Sequence, residues 1–326
     1  MPDASIVLSA QQVSTWFPVR NALGRVVNHV KAVEGVSLNL KAGETYGLVG
    51  ESGCGKSTFG RTLVRLLEPT AGTVSLFGAD ISHLSEKEML RFRRDIQIVF
   101  QDPYTSLNPR QRIGSMLMEV QAIHHIGQNR DERMARAMDI LGQVGMLKEH
   151  FFRYPHEFSG GQRQRIGLAR ALILDPKVII CDEPVSALDV SIQSQIINLL
   201  RDLQQQRGLS YVFISHDMSV IKYISDRVGV MYLGHLVEQA DTDELFAHPL
   251  HPYTRTLMSA VPSIDPRDTT RRIVLEGDLP SPIDPPSGCV FHTRCPQACP
   301  GCAAAPPAWQ EARPGHFVAC PHCSGK

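Results

Sequence analysis

Charge imbalance is absent from this 326-residue sequence: 33 lysines and arginines stand against 33 aspartates and glutamates, with no long block of one sign. A protein that grips nucleic acid or an anionic lipid surface through electrostatics needs a basic footprint, so no nucleic-acid partner is implied. Long apolar runs are missing too. No stretch approaches the roughly eighteen apolar residues that would cross a bilayer. The opening MPDASIVLSAQQ lacks the basic-then-apolar order of a secretory signal, so the chain is expected to stay in the cytosol. Cysteine is scarce through residue 287, where only Cys54 and Cys181 occur, and then crowded beyond it. Cytosolic thiols are kept reduced, so the late cysteines read as metal or cluster ligands before disulfides.

What the sequence has in quantity is apolar residues, 43% of the chain, enough at this length for the cores of two domains. Strand-like runs at residues 37–40, 45–49, 73–77, 97–100, 178–181, 211–214 and 228–232 alternate with helical patterns at 57–67, 192–206 and 219–224. That alternation predicts an α/β fold with a largely parallel sheet. Between 103 and 168 the strand signal fades and helical periodicity takes over, as in ERMARAMDILGQVGM, which predicts an inserted helical subdomain. After Val261 the text turns proline-rich and then cysteine-rich. The predicted division is therefore a domain over 1–250 and a tail over 251–326.

GLVGESGCGKST follows an apolar strand and precedes a helix, the context that the pattern G-x-x-x-x-G-K-[ST] requires. Gly50, Glu51, Ser52, Gly53, Cys54, Gly55, Lys56, Ser57 and Thr58 form a turn whose N–H groups and helix start face one anion. Lys56 would reach the β- and γ-phosphates of ATP, and Ser57 would hold Mg²⁺. A cysteine at a helix start is expected to have a lowered thiol pKa, which would make Cys54 sensitive to oxidation rather than catalytic. Downstream, KVIICDEP supplies carboxylates at the end of a buried strand. Asp182 would organise Mg²⁺ through its shell, and Glu183 would act as general base on the attacking water.

EFSGGQRQRIGLARAL is where the sequence resembles the ATP-binding cassette ATPases, whose fold is a P-loop NTPase core carrying a helical insert. The resemblance implies that Ser159, Gly160, Gly161 and Gln162 close over the nucleotide of a second subunit, so one chain holds two half-sites. It also implies that Phe17 stacks on adenine, with Trp16 adjacent, that Gln101 senses Mg²⁺ and water, that Ser186 and Asp189 cross the dimer interface, and that His216 bonds the γ-phosphate. Phe158 departs from the more usual leucine, a change of packing rather than of anion binding.

FQDPYTSLNPR, EPVSALDVSIQ, GHLVEQADTDELFAHPLHPYTRTL and GCVFHTRC resemble, almost end to end, the ATPase subunits of oligopeptide, dipeptide and nickel importers, nearer the F-type subunit than its D-type partner. That resemblance implies import of di- and oligopeptides driven by ATP hydrolysis. Its partners would be a second, related ATPase subunit in a heterodimer, two transmembrane permease subunits and an extracytoplasmic substrate-binding protein. The chain would then sit at the cytoplasmic face of the inner membrane. Nickel or another small solute is the alternative cargo. A soluble cassette protein acting on nucleic acid or ribosomes is the alternative class, against which the neutral charge and HPLHPYT count.

Cys289, Cys295, Cys302 and Cys320 resemble the cysteine motif of those importers' tails, where four thiolates are associated with a [4Fe-4S] cluster. Soft thiolate ligands suit zinc equally. Cys299 with Cys302, and Cys320 with Cys323, make two C-x2-C pairs of the zinc-ribbon kind. Either metal would serve as a structural staple for a tail with little apolar content of its own.

Overall fold

The computed structural model describes residues 5–261, 273, 275 and 277–323. Its strands run in the order β1 (Ile6–Arg20), β2 (Val26–Lys41), β3 (Thr45–Val49), β4 (Ala71–Leu76), β5 (Ala79–Asp80), β6 (Ile96–Val99), β7 (Val178–Asp182), β8 (Ser210–Ser215), β9 (Arg227–Tyr232), β10 (His235–Asp241), β11 (Gln310–Arg313) and β12 (His316–Val318). The helices are α1 (Lys56–Leu63), α2 (Glu86–Phe92), α3 (Pro103–Ser106), α4 (Ile113–Ile123), α5 (Arg130–Gln143), α6 (Gly160–Leu172), α7 (Val190–Arg207), α8 (Met218–Ile224), α9 (Thr242–Ala247), α10 (Pro252–Ser259) and α11 (Pro300–Ala304). The chain divides into two compact units, one formed by Met1–Val7, Leu40–Glu44 and Leu84–Val212, the other by Leu8–Asn39, Thr45–His83 and Phe213–Lys326. No helix among the described residues is long and apolar enough to cross a membrane.

In the first unit the strand order is β8-β7-β6, with β8 contributing its residues 210–212. β6 and β7 run parallel, Ile96 opposite Val178 and Val99 opposite Cys181. Every residue of β7 is buried, which is why VIICD reads as a continuous apolar run ending in one carboxylate. Between these two neighbouring strands every described element is helical. α4 and α5 pack on each other and on α6, and Ile113, Leu117, Ile140 and Leu141 fill the space between them. Asn129 opens α5 by accepting the Glu132 N–H, the local signal that lets a polar helix start where it does.

In the second unit β3 pairs in parallel with β9, and β9 pairs antiparallel with β10 through a tight turn at Leu233 and Gly234. β12 then adds antiparallel to β10, Glu238 opposite Val318, and β11 pairs with β12. The last described residues are thus tied to β10 by a backbone ladder. A second sheet in the order β2-β1-β4-β5 is antiparallel at β1–β4 and β4–β5. Of β1 and β2, only residues 37–40 of β2 were expected from the sequence, because the clean inside–outside alternation is confined to the end of β2. The turn joining them did carry a signal: Asn21 Oδ1 accepts the Leu23 and Arg25 N–H groups, and Gly24 takes φ +74°. The helix read to residue 67 ends at Leu63, with Arg65 at φ +55°.

One buried carboxylate organises the second unit's far edge. Glu238, fully buried, accepts the backbone N–H groups of Leu250 (2.7 Å) and His251 (3.0 Å) and lies 2.7 Å from His316 Nε2. Burial alone would lower the His316 pKa, but the bond to Glu238 carries it upward.

In the helical stretch, a Cβ added to Gly114 would lie 2.4 Å from two carbons of the buried Phe151 ring. Overpacking of this kind costs about 1–3 kcal/mol, against roughly 1 kcal/mol of helix propensity gained on leaving glycine. Gly114→Ala should therefore leave the stability read by urea denaturation no higher and lower it by up to ~2 kcal/mol. A raised midpoint would refute this packing.

Candidate functional site

The loop after β3 bends because its glycines allow it. Gly55, the residue before α1, sits at φ +103°, and a Cβ there would fall 2.0 Å from the Ala32 carbonyl oxygen. No side chain fits, so the backbone of Gly50 to Lys56 closes into a narrow curve. Lys56 opens α1 with 3% of its surface exposed, and its Nζ donates to the carbonyl oxygens of Gly50 (2.6 Å) and Glu51 (2.9 Å). The ammonium is held at the mouth of the curve, which is the placement that phosphate binding requires. Ser57 and Thr58 follow, half-buried, in the first turn of α1, while Ser52 and Gly53 are exposed at the tip of the loop.

Cys54 differs from its sequence expectation. Its thiol is 1% exposed, and burial raises its pKa more than Lys56 lowers it. A helix start lowers a thiol pKa only when the sulfur is solvated enough to ionise, and this one is packed under the loop.

Phe17 lies half-buried on β1. That strand is held to α1 by a buried Thr15–Thr62 hydroxyl pair at 2.9 Å. Trp16 is committed elsewhere: its Nε1 donates to Glu34 at 2.8 Å and Lys31 Nζ lies 5.3 Å over its ring. Successive strand residues face opposite sides, so Trp16 and Phe17 do not compete for one position. His216, at the end of β8, is exposed, and the following Asp217 caps α8 by accepting from Ser219 and Val220.

In the first unit the structure brings together two of the residues assigned to catalysis. Gln101, just past β6, donates through Nε2 to Glu183 Oε2 at 2.9 Å. Glu183 follows the fully buried Asp182 at the end of β7, is 8% exposed and has φ +45°. A left-handed glutamate costs of order 1–3 kcal/mol and persists only where its surroundings fix it. Here the next turn does so, since Ser186 donates to the Glu183 carbonyl from both N (3.3 Å) and Oγ (3.1 Å). Asp189 is the exposed N-cap of α7, and Gln193 Nε2 bonds the carbonyls of Val185 and Leu188 at 3.0 Å, which stiffens the segment between.

Ser159 caps α6 in a reciprocal box: its Oγ accepts the Gln162 N–H at 3.4 Å, and its own N–H donates to Gln162 Oε1 at 3.0 Å. Gly160 and Gly161 form the first turn, and a Cβ on Gly161 would meet Ile192 Cγ2 at 2.5 Å. Phe158 is buried edge-on against His150 at 5.1 Å, beneath the helix start rather than in it.

In the tail, Cys289, Cys302 and Cys320 are buried and Cys295 is partly so. Burial pushes the Cys289 and Cys295 thiols upward, and the neighbouring cysteines add to the shift. Cys299 Sγ is 3.4 Å from Cys302 Sγ, which is 3.9 Å from His322 Nε2, and the three donor atoms lie within 4.8 Å of one another. Zinc–sulfur bonds of about 2.3 Å at tetrahedral angles place donors roughly 3.5–3.8 Å apart, close to these separations. Cys323 Sγ instead donates to the Leu250 carbonyl at 3.3 Å, so the second C-x2-C pair does not present both sulfurs to this group. His322 was not recognised from sequence, although it stands inside CPHC. Neither was Arg294, whose guanidinium reaches Glu51 in the phosphate loop at 2.8 Å from a position 243 residues away, with no local pattern to announce it.

Comparison with known proteins identifies the family and the fold. The ABC transporter profile matches residues 33–186, and that of the oligopeptide/dipeptide transporter C-terminal region matches 237–302. Oligopeptide transport ATP-binding protein AppF of Bacillus subtilis is 55% identical over 318 residues, 96% of each chain. Oligopeptide transport ATP-binding protein OppF of Escherichia coli is 55% identical over 293 residues, 89% of this chain and 87% of that one. Among solved structures, the ATP-binding cassette MJ0796, a dimer in a post-hydrolysis state bound to ADP and Pi, superposes with a TM-score of 0.65 at 27% identity, covering 72% of this chain and 98% of that one. With both profiles matched, and these relatives 55% identical over 89–96% of its length, the chain belongs to the ABC transporter ATP-binding proteins of the oligopeptide/dipeptide group.

Proposed function

We propose that this chain is the ATP-hydrolysing subunit of an importer for di- and oligopeptides, working at the cytoplasmic face of a membrane through permease subunits. The observation that carries the chemistry is the 2.9 Å bond from Gln101 to Glu183, which orients the carboxylate assigned as general base. Lys56 and the amides from Gly50 to Thr58, apart from those of Glu51 and Cys54, which donate to the Tyr253 hydroxyl and the Glu51 carbonyl, would hold the triphosphate, Phe17 the adenine, and His216 the γ-phosphate. Ser57, Gln101 and Asp182 would serve Mg²⁺, whose charge, when bound, offsets that developing on the phosphate oxygens. Ser159 to Gln162 are exposed or half-exposed at the start of α6, as a surface that closes over a second subunit's nucleotide must be. The names of the relatives support peptide as cargo, and the dimeric MJ0796 cassette supports a paired assembly, here with a related subunit beneath two permease subunits and fed by a binding protein.

Residues 1–250 form the nucleotide-binding domain in this reading, with 103–168 as the permease-facing helical insert and 251–326 as a metal-binding tail. The tail's donors are of the type a soft metal takes: four cysteines, three of them buried. Cys289, Cys295, Cys302 and Cys320 would hold a [4Fe-4S] cluster. The proximity of Cys299, Cys302 and His322 favours a second reading, a Zn²⁺ site that draws on a different set.

Glu183→Gln keeps the shape and the Gln101 contact but removes the base. In the assembled transporter it should bind ATP normally and lose at least ~100-fold in kcat; steady-state hydrolysis at the wild-type rate would remove Glu183 from this role. Lys56→Ala should weaken Mg-ATP binding by roughly 10-fold or more, measured by equilibrium titration, since a charge-assisted bond to phosphate is lost. For the tail, anaerobic purification followed by iron, sulfide and zinc analysis should give about four irons per chain. Stoichiometric zinc without iron, abolished by His322→Ala, would establish the second reading instead.

A further inference from the structure

Glu51 lies inside the phosphate loop, and two motifs from the C-terminal part of the chain converge on it. Arg294 reaches its carboxylate as a fork, Nη1 to Oε2 at 2.8 Å and Nη2 to Oε1 at 3.3 Å. Tyr253 of HPYT accepts the Glu51 backbone N–H on its hydroxyl at 2.8 Å. Neither residue is loosely placed. The Arg294 side chain is 8% exposed, and Nη1 is 3.5 Å from the Tyr232 hydroxyl. Phe291, three residues earlier, is buried edge-on against Tyr232 at 5.1 Å and lies 5.4 Å from Tyr253. Arg294 immediately precedes Cys295, so the cysteine-rich segment itself sets where the guanidinium stands.

Glu51 needs such a partner for an electrostatic reason. Its carbonyl helps to hold Lys56 Nζ at 2.9 Å, so its carboxylate belongs to the same short loop that would surround a polyanion. An unneutralised carboxylate there repels the ligand that the loop amides attract. It would also draw Lys56 toward itself and away from the phosphates. We propose that Arg294 is a positioning residue for the phosphate loop: by neutralising and fixing Glu51, it makes the cysteine-rich tail part of the nucleotide site. The proposal rests on the phosphate-cradle reading and extends it to a residue that touches no nucleotide.

The test is the Kd of the full chain for Mg-bound trinitrophenyl-ATP, followed by fluorescence at constant salt, with melting curves to confirm folding. Arg294→Ala should weaken binding about tenfold, equivalent to ~1.4 kcal/mol. Arg294→Gln, which keeps most of the volume and loses the charge, runs in parallel in case the alanine variant does not fold, and should shift the Kd by a similar factor. Adding Glu51→Gln to either variant should tighten binding at least threefold relative to that single variant, because the uncompensated charge is gone; a merely structural role for Arg294 predicts no such rescue. An Arg294 variant within threefold of wild type, or a double variant no tighter than the single, overturns the proposal. Lys56→Ala separates the two levels. If it abolishes binding while the Arg294 variants do nothing, only the positioning role falls; if it too leaves binding unchanged, the cradle falls with it.

Discussion

A buried ammonium must have an oxygen for its protons, and the phosphate loop is arranged around that requirement. Lys56, almost wholly removed from solvent, finds the Gly50 and Glu51 carbonyls, which means that the chain just ahead of it has to curl back over its side chain. That curl is available only to a backbone with glycine at positive φ, and Gly55 meets the Ala32 carbonyl too closely for any other residue. From the same curl follow the exposed tip and the buried Cys54. The carbonyls that hold Lys56 offer bonds that a phosphate oxygen can replace.

The features legible in the sequence were those whose cause is local. A glycine-lysine loop between an apolar strand and a helix, a buried strand ending in Asp182 and Glu183, a Ser-Gly-Gly cap ahead of α6, and helical periodicity between β6 and β7 each owe their form to neighbours within a few residues. The features that were missed depend on distant partners. β1 and β2 do not alternate cleanly, because β1 buries adjacent residues (Val7 with Leu8, Val13 with Ser14 and Thr15) and the first four residues of β2 are all exposed. β11 and β12 are three or four residues long and exist because β10 offers an edge. Arg294 and His322 acquire meaning only from residues that the fold brings near, Glu51 for one and Cys302 for the other. The expectation for Cys54 failed because burial depth, which a helix-start argument does not contain, outweighed the helix and the lysine.

The tail therefore differs from an appendage stapled by a metal. Its ladder with β10, its aromatic packing through Phe291 and its ion pair with Glu51 are three independent ties to the unit that also holds the phosphate loop. A metal, in that setting, would order the cysteine-bearing turns and hold residues such as Arg294 in register, rather than supply the whole of the folding energy.

Glu238 carries a consequence for how such chains can diverge. Its carboxylate is fully buried and serves the Leu250 and His251 amides and the His316 ring together. Stripping away the ring would strand a charge in the interior, at a cost of about 3–5 kcal/mol, a large part of the margin that keeps a typical domain folded. A lineage that shortened or exchanged its last dozen residues would first have to replace Glu238 with something neutral, so the carboxylate acts as a ratchet against trimming.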